Sequence, residues 1–371
     1  MNNPSLSLDT LSRRDFLKFM GLGFISFALP EASYRSQYYS QIQPGDRIRS
    51  SQIHLAELSR LAVGSNNILG RVVEPETDLY EKPSYSSKKI KTLWTDVIMP
   101  IIDVTIGDLV PDYNRVWYNL DGQGYAHSGS IQPVQVRLNT PNDLISTRGC
   151  LGEVTVPYTD ARWWVSSKDA VAYRLYYATT YWVTGLTTAD DGTAFYKIYD
   201  NLIKRSYYAN ANHIRLVDSQ ELSPISADVP SEDKRIEVHL DKQMVIAYEK
   251  AKPIFMARTA TGGHFSNGDF STPKGPHIVL YKSPTHHMAA GNPAASNSYD
   301  LPGVPWISYI TEEGLGFHGT FWHNDFGKPR SHGCINLSPQ AARWVYLWTT
   351  PVVPPDVSLS FDKGGTAIEV I

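Results

Sequence analysis

The sequence predicts a mainly β protein: two small β-barrels, then a larger β-rich domain with one helix. Three observations predict it. A stretch beginning Gly70-Arg71-Val72-Val73-Glu74-Pro75 recurs 82 positions later as Gly152-Glu153-Val154-Thr155-Val156-Pro157, the mark of two copies of one unit. Short β-branched or aromatic runs are split by Asp, Gly, Asn and Pro, the punctuation of strands and tight turns. One stretch near the C-terminus carries a capped helical pattern. The 371 residues are 42% hydrophobic and 19% charged, a globular balance with room for two or three compact domains. The formal charge of −3, with no basic stripe, argues against a nucleic-acid partner.

The chain opens on Ser12-Arg13-Arg14-Asp15-Phe16-Leu17-Lys18 and an apolar run from Phe19 to Leu29. That run is about 11 residues, against roughly 20 for a membrane-spanning helix, so no span is expected in the mature chain. Paired arginines before a moderately apolar segment resemble a twin-arginine export signal. The resemblance implies a protein that works outside the cytoplasm, in the cell wall or envelope. Residues 1–33 are assigned to this signal and 34–66 to a linker with one short helix, since Leu55, Leu58, Leu61 and Ala62 fall at helical spacing.

The two copies end alike as well as begin alike. Trp117-Tyr118-Asn119-Leu120-Asp121, Tyr125-Ala126 and Ile131-Gln132-Pro133-Val134 match Phe195-Tyr196-Lys197-Ile198-Tyr199-Asp200, Tyr208-Ala209 and Ile214-Arg215-Leu216-Val217. The order of strand, Pro, long loop, W-Y-x-x-D-G and Y-A resembles bacterial SH3-like domains, which commonly accompany cell-wall enzymes. Modules are expected at 67–138 and 139–220, serving either wall binding or spacing. Residues 221–233, rich in Ser, Pro and Asp, read as a linker.

In the third domain, 234–371, Ile236, Val238 and Leu240 alternate, Asp241-Lys242-Gln243 turns, and Met244 to Tyr248 returns. That is a hairpin pattern. Strand-like runs follow at Ile254–Thr259 and His277–Tyr281, with a turn at Thr272-Pro273-Lys274-Gly275. Ser338 is placed to cap a helix whose first residue is Pro339. Ala341, Trp344, Val345 and Trp348 make its apolar face, and Pro351 stops it.

Seven of the eleven histidines fall between His264 and His332, beside Cys334, one of two cysteines. Two cysteines exclude a disulfide framework. Cys150 reads as a small buried hydrophobe, and no bridge to Cys334 is expected, because it would consume the second thiol. The stretch from Phe317 to Asn336 holds too many Gly, Pro and polar residues for a core element. A loop between a strand and a capped helix is where reacting groups commonly sit. A cysteine attacks as thiolate, and a nearby imidazole can accept its proton. The helix start that follows, and backbone N–H groups left free around Gly333, would favour negative charge there.

His318-Gly319-Thr320, followed by Ser331-His332-Gly333-Cys334-Ile335, resembles the signature of the L,D-transpeptidase (YkuD-type) catalytic domain. The likeness takes in the Thr272–Gly275 turn and the hairpin from Ile236. It implies Cys334 as nucleophile and His318 as general base, oriented by the Gly319 carbonyl. His332 would line the site, and N–H groups around Gly333 and Cys334 would form the oxyanion hole. Thr320, Trp322, His323, Ser331, Asn336, Tyr299 and Trp306 are the expected substrate contacts. The implied reaction is acyl transfer between peptidoglycan stem peptides through a cysteinyl thioester, giving a 3→3 cross-link, or hydrolysis if water replaces the amine. Carbapenem β-lactams are the implied inhibitors, and neither cofactor nor metal is expected. Asn336 stands where many relatives carry Arg, and a neutral amide cannot pair with a donor carboxylate as Arg does.

Other readings of the same residues stay open. His318, His323, His332 and Cys334 have the residue types of a tetrahedral zinc site, although no H-E-x-x-H helix accompanies them. A papain-like hydrolase would place its histidine far downstream of the thiol, whereas His318 lies 16 residues upstream. A non-catalytic wall-binding protein is the third. Asp325 has the chemistry of a triad acid, at an unknown distance. His286 and His287, adjacent on a strand, are expected to face opposite ways as surface residues.

Overall fold

A computed structural model describes residues 68–165, 170–266, 268–290, 299–361 and 364–371. The expected signal and first linker, at 1–66, lie outside the described residues. The internal repeat is realised strand for strand. The first unit runs β1 (Leu69–Val72), β2 (Glu76–Tyr80), β3 (Lys89–Trp94), β4 (Ile98–Ile106), β5 (Val116–Leu120), β6 (Tyr125–His127) and β7 (Ile131–Val134). The second runs β8 (Cys150–Val154), β9 (Tyr158–Arg162), β10 (Val171–Tyr176), β11 (Thr180–Thr188), β12 (Ala194–Asp200), β13 (Arg205–Asn210) and β14 (Ile214–Leu216). Their hydrogen-bonded orders are β3-β2-β6-β5-β4-β1-β7 and β10-β9-β13-β12-β11-β8-β14, the same order in both copies.

Gly70 and Gly152 show why both copies start alike. A Cβ on Gly70 would stand 2.6 Å from Ile131 Cγ2, and one on Gly152 would stand 2.9 Å from Ile214 Cγ2. Those two isoleucines open the matching last strands, so each glycine makes room for the strand that closes its own unit. The second unit begins ahead of its first strand: Val136 and Leu138 pack on its core, and Arg137 N donates to Thr155 O at 2.8 Å.

The third domain contains β15 (Lys234–His239), β16 (Met244–Glu249), β17 (Lys252–Arg258), β18 (His264–Phe265), β19 (Gly268–Asp269), β20 (Gly275–Ile278), β21 (Tyr281–Ala290), β22 (Tyr299–Tyr309), β23 (Gly316–Gly319), β24 (Ile335–Leu337), α1 (Pro339–Trp348), β25 (Ser360–Phe361) and β26 (Ala367–Val370). One sheet is ordered β17-β16-β15-β26-β20 and the other β24-β23-β22-β21-β25. The hairpin β15/β16 turns where expected, with Gln243 at φ +49°. Helix α1 is also as expected: Ser338 Oγ accepts the Ala341 N–H at 3.2 Å, and Pro339 fills the first turn. Its Ala342, Val345, Tyr346 and Trp348 are buried in one core with Phe317, Ile335 and Leu337 of β23 and β24. Trp344, on its flank, stacks on Phe255 at 4.0 Å.

The segment read as a linker at 221–233 is tied down. Ile225 N donates to Leu347 O at 3.0 Å, and Glu221 pairs with both Arg215 and Arg343. The second unit shares the main core of the third domain through Leu151, Trp182 and Val217. Tyr181 donates to Pro302 O at 3.1 Å, and Thr180 to Pro284 O at 2.7 Å. This contact corrects the expectation for His287. His286 is exposed, but His287 is buried, 2.7 Å from Asp200 of β12 and also bonded to Asp300. The second unit covers that face of β21, so alternation sends His287 into an interface. Among the described residues no helix is long and apolar enough to cross a membrane.

Candidate active site

The parallel pair β23 and β24 builds the site. Phe317 pairs with Ile335, His318 with Asn336, and Gly319 with Leu337. Strand side chains alternate between faces. With Phe317, Ile335 and Leu337 buried under α1, His318 and Asn336 turn to the opposite face. Cys334 immediately precedes β24, two residues before Asn336.

His318 Nδ1–H donates to the Gly319 carbonyl at 3.2 Å, which leaves Nε2 bare and able to accept a proton. Burial pushes this imidazole down to about 4, with the Gly319 carbonyl pulling weakly the other way. Cys334 is half-buried and free. Burial pushes its thiol above the ordinary value, opposed by a hydrogen bond with the Gly316 backbone. Near neutral pH both groups are therefore uncharged, a protonated thiol and an imidazole able to accept a proton. Cys150, in β8, is the other free thiol, and burial pushes it up to about 11.

Burial first raises the pKa of Tyr281, Tyr299 and Tyr309; the charge of an ionised Cys334 adds to it, for Tyr309 after that of Tyr281. The rings of Tyr281 and Tyr309 stack with centres 4.2 Å apart, while Tyr299 is exposed. Trp322 lies 5.7 Å from His318, centre to centre. It also lines a cavity of about 320 Å³ where the three units meet, with Arg71, Arg174, Tyr176 and Asp300 on its other walls. Trp322 therefore stands beside His318.

Gly333, Ser331 and Thr320, expected in the site, are engaged within the scaffold. Gly333 takes φ +115°, where a Cβ would stand 2.9 Å from Leu315 Cδ2. Its N–H, expected to face an oxyanion, donates instead to Ser331 Oγ at 3.2 Å, and the Ser331 hydroxyl donates to Cys334 O. Thr320 is buried and donates to Leu337 O at 3.0 Å. His332 is exposed and sets its ring against Phe270 at 4.4 Å. Trp306 corrects an expectation outright. It sits in the core beneath α1, 5.4 Å from Tyr346, on the far side of the sheet from His318.

His323 and Asn336 are also placed differently from the expectation. Both are 2% exposed, with the Asn336 amide 3.0 Å from His323 Nε2. They face each other rather than a cleft. Asp325 does not serve His318: it holds Lys328 at 2.8 Å, Arg330 at 3.3 Å and the Tyr113 hydroxyl at 3.0 Å. Among the described residues no three His, Cys, Asp or Glu side chains gather as a metal-binding group.

Sequence reasoning missed the part of the first unit. Arg71, in the apolar strand β1, is buried, pairs with Asp96 at 2.9 Å, and donates to Gln132 and to the carbonyl of Phe321. Asp96 also pairs with Arg174 of the second unit at 3.0 Å. A charged residue inside an apolar strand was the available signal, since a buried guanidinium requires partners.

The family model of the YkuD L,D-transpeptidase catalytic domain matches residues 233–367. No curated protein matches the chain. Among solved structures, a mutant L,D-transpeptidase of Enterococcus faecium is 23% identical, at a TM-score of 0.29 over 38% of this chain. This chain spans half of that protein, 50% of its length. An L,D-transpeptidase of Mycobacterium smegmatis is 20% identical over 64% of this chain and 89% of its own, with a TM-score of 0.31. L,D-transpeptidase 3 of Mycobacterium tuberculosis, solved with a faropenem-derived adduct, is 18% identical over 50% of this chain and 78% of its own, with a TM-score of 0.30. From the family match, residues 233–367 are a YkuD-type L,D-transpeptidase catalytic domain.

Proposed function

We propose that the protein is an exported peptidoglycan L,D-transpeptidase in which Cys334 is the nucleophile and His318 the base. The observation that carries this reading is the register of β23 and β24 inside the matched domain, which sets His318 opposite Asn336, two residues after Cys334, with His318 Nε2 bare. The proton on Cys334 Sγ passes to His318 Nε2 as sulfur attacks the carbonyl of the third stem residue. The C–N bond to the terminal D-Ala breaks, and His318 returns the proton to the departing amine. An amine from a neighbouring stem then attacks the thioester, the C–S bond breaks, and a 3→3 cross-link results. Water in its place gives carboxypeptidase activity.

The paired Arg13 and Arg14 before an apolar run support export by a twin-arginine signal. The repeated seven-stranded order and the W-Y and Y-A motifs support two SH3-like modules ahead of the catalytic domain. Carbapenems, which resemble the acyl donor, are the inhibitors this reading implies. Incubation of the protein with disaccharide-tetrapeptide, followed by mass analysis of the products, tests it. The expected result is a cross-linked dimer one D-Ala lighter than two monomers, absent with Cys334→Ala. A dimer formed equally well by that variant would overturn the reading.

A further inference from the structure

The segment after His318, from Phe321 to Arg330, is held mainly by the first unit. Asn324 donates through Nδ2 to the carbonyls of Ser128 and Ile131, both at 3.0 Å, and through its backbone N–H to Gly129 O at 3.1 Å. Tyr113 donates to Asp325 at 3.0 Å, Glu74 pairs with Arg330 at 2.9 Å, and Arg71 reaches the Phe321 carbonyl. The surface that receives Asn324 is itself braced. His127 Nδ1 accepts from Gly129 N at 3.2 Å, His127 Nε2 donates to Asn114 O at 2.8 Å, and Asn114 donates to Ser128 Oγ at 3.0 Å. Fit is close as well: a Cβ on Gly129 would stand 2.6 Å from Asp325 Oδ1.

The same segment touches the reacting strands from its other side. Trp322 lies against the His318 ring, and His323 bonds to Asn336, which pairs with His318 across β23 and β24. We infer that the first unit is a positioning part of the active site: through Asn324 and the turn at Ser128–Ser130 it fixes the loop that backs His318. This inference rests on the reading of Cys334 and His318 as the reacting pair. A module tethered only for wall binding would need none of these contacts, because its ligand would lie elsewhere. Small displacements of a reacting group are costly, on the order of 10²-fold in rate for about 1 Å.

The test uses the full chain and a carbapenem as probe, with Gly129→Ala from one side of the contact and Asn324→Ala from the other. Intact mass against time gives the first-order acylation constant and the half-saturating carbapenem concentration. Each variant is expected to lose about 10-fold or more in the acylation constant, with the half-saturating concentration held and the unfolding temperature near that of the wild type. The double variant is expected to lose no more than the worse single, since both act on one contact. Acylation of Asn324→Ala at the wild-type rate would overturn the inference, as would losses that multiply in the double variant. Asn324→Ala decides the matter alone if Gly129→Ala does not fold. Failure of wild-type protein to form any adduct would instead strike the proposed function.

Discussion

The Asn336 side-chain amide and His323 Nε2 lie 3.0 Å apart, both residues buried, with Asn336 paired to His318 across β23 and β24. His323 Nδ1 already accepts the Asp325 N–H at 3.3 Å. A neutral imidazole carries one N–H, so Nε2 is the donor. The amide is placed with Nδ2 against it and Oδ1 buried without a partner among the described residues. Exchanging the amide oxygen and nitrogen makes Oδ1 the acceptor. Burial pushes His323 down to about 3, reinforced by the Arg330 charge, which keeps the ring neutral. Asn336, in a position where Arg would be a candidate for donor recognition, is thereby committed to the scaffold.

Asn336→Ala should leave a buried imidazole N–H without a partner. Such a loss costs about 1–3 kcal/mol, so thermal unfolding should shift down by several degrees. An unchanged unfolding temperature would show that the pair carries no stability.

The thiol should behave as a protonated group at neutral pH. Because burial raises the pKa of Cys334 and lowers that of His318 to about 4, thiolate accumulates only as pH rises past the range of an ordinary cysteine, about 8.5. Alkylation of Cys334 by iodoacetamide should climb through that alkaline range. A reactive plateau extending below pH 7 would contradict a neutral resting pair.

His287 makes the contact between the second unit and the catalytic domain depend on pH. Burial alone would lower its pKa, but hydrogen bonds to Asp200 and Asp300 outweigh burial and raise it. For Asp200, burial raises, and the bond to His287 wins and lowers. Stabilisation from His287 is complete below its unfolded value of about 6.5 and is lost as pH rises through the raised folded value. That from Asp200 is complete above about 3.9 and is lost as pH falls through its lowered one. His287→Ala should cost about 3–5 kcal/mol, the scale for breaking a buried charged pair. The gap in unfolding temperature from wild type should be widest near pH 5–6 and shrink toward alkaline pH. A gap independent of pH would rule out the charged pair.

Much of this architecture was legible where the signal is local. Ser338 and Pro339 announce α1, Asp241–Gln243 announces the hairpin, and the repeat at Gly70 and Gly152 announces two like units, because each depends on neighbours in sequence. Placement by distant contacts was not legible. Trp306 looks like a cleft aromatic until strand alternation in β22 puts it beneath α1. His287 looks like a surface residue until Asp200 of another unit meets it. Asn324 sits in a polar loop whose partners lie near Ser128, about two hundred positions away, and no periodicity encodes that.

On the proposed function, Cys334 is the acyl-accepting thiol. Intact mass after incubation with a carbapenem, comparing wild type with Cys334→Ala, tests it most directly. A single adduct is expected on the wild type and none on the variant, which retains Cys150 as an internal control. No adduct on folded wild type, or an adduct that persists in Cys334→Ala, would contradict it.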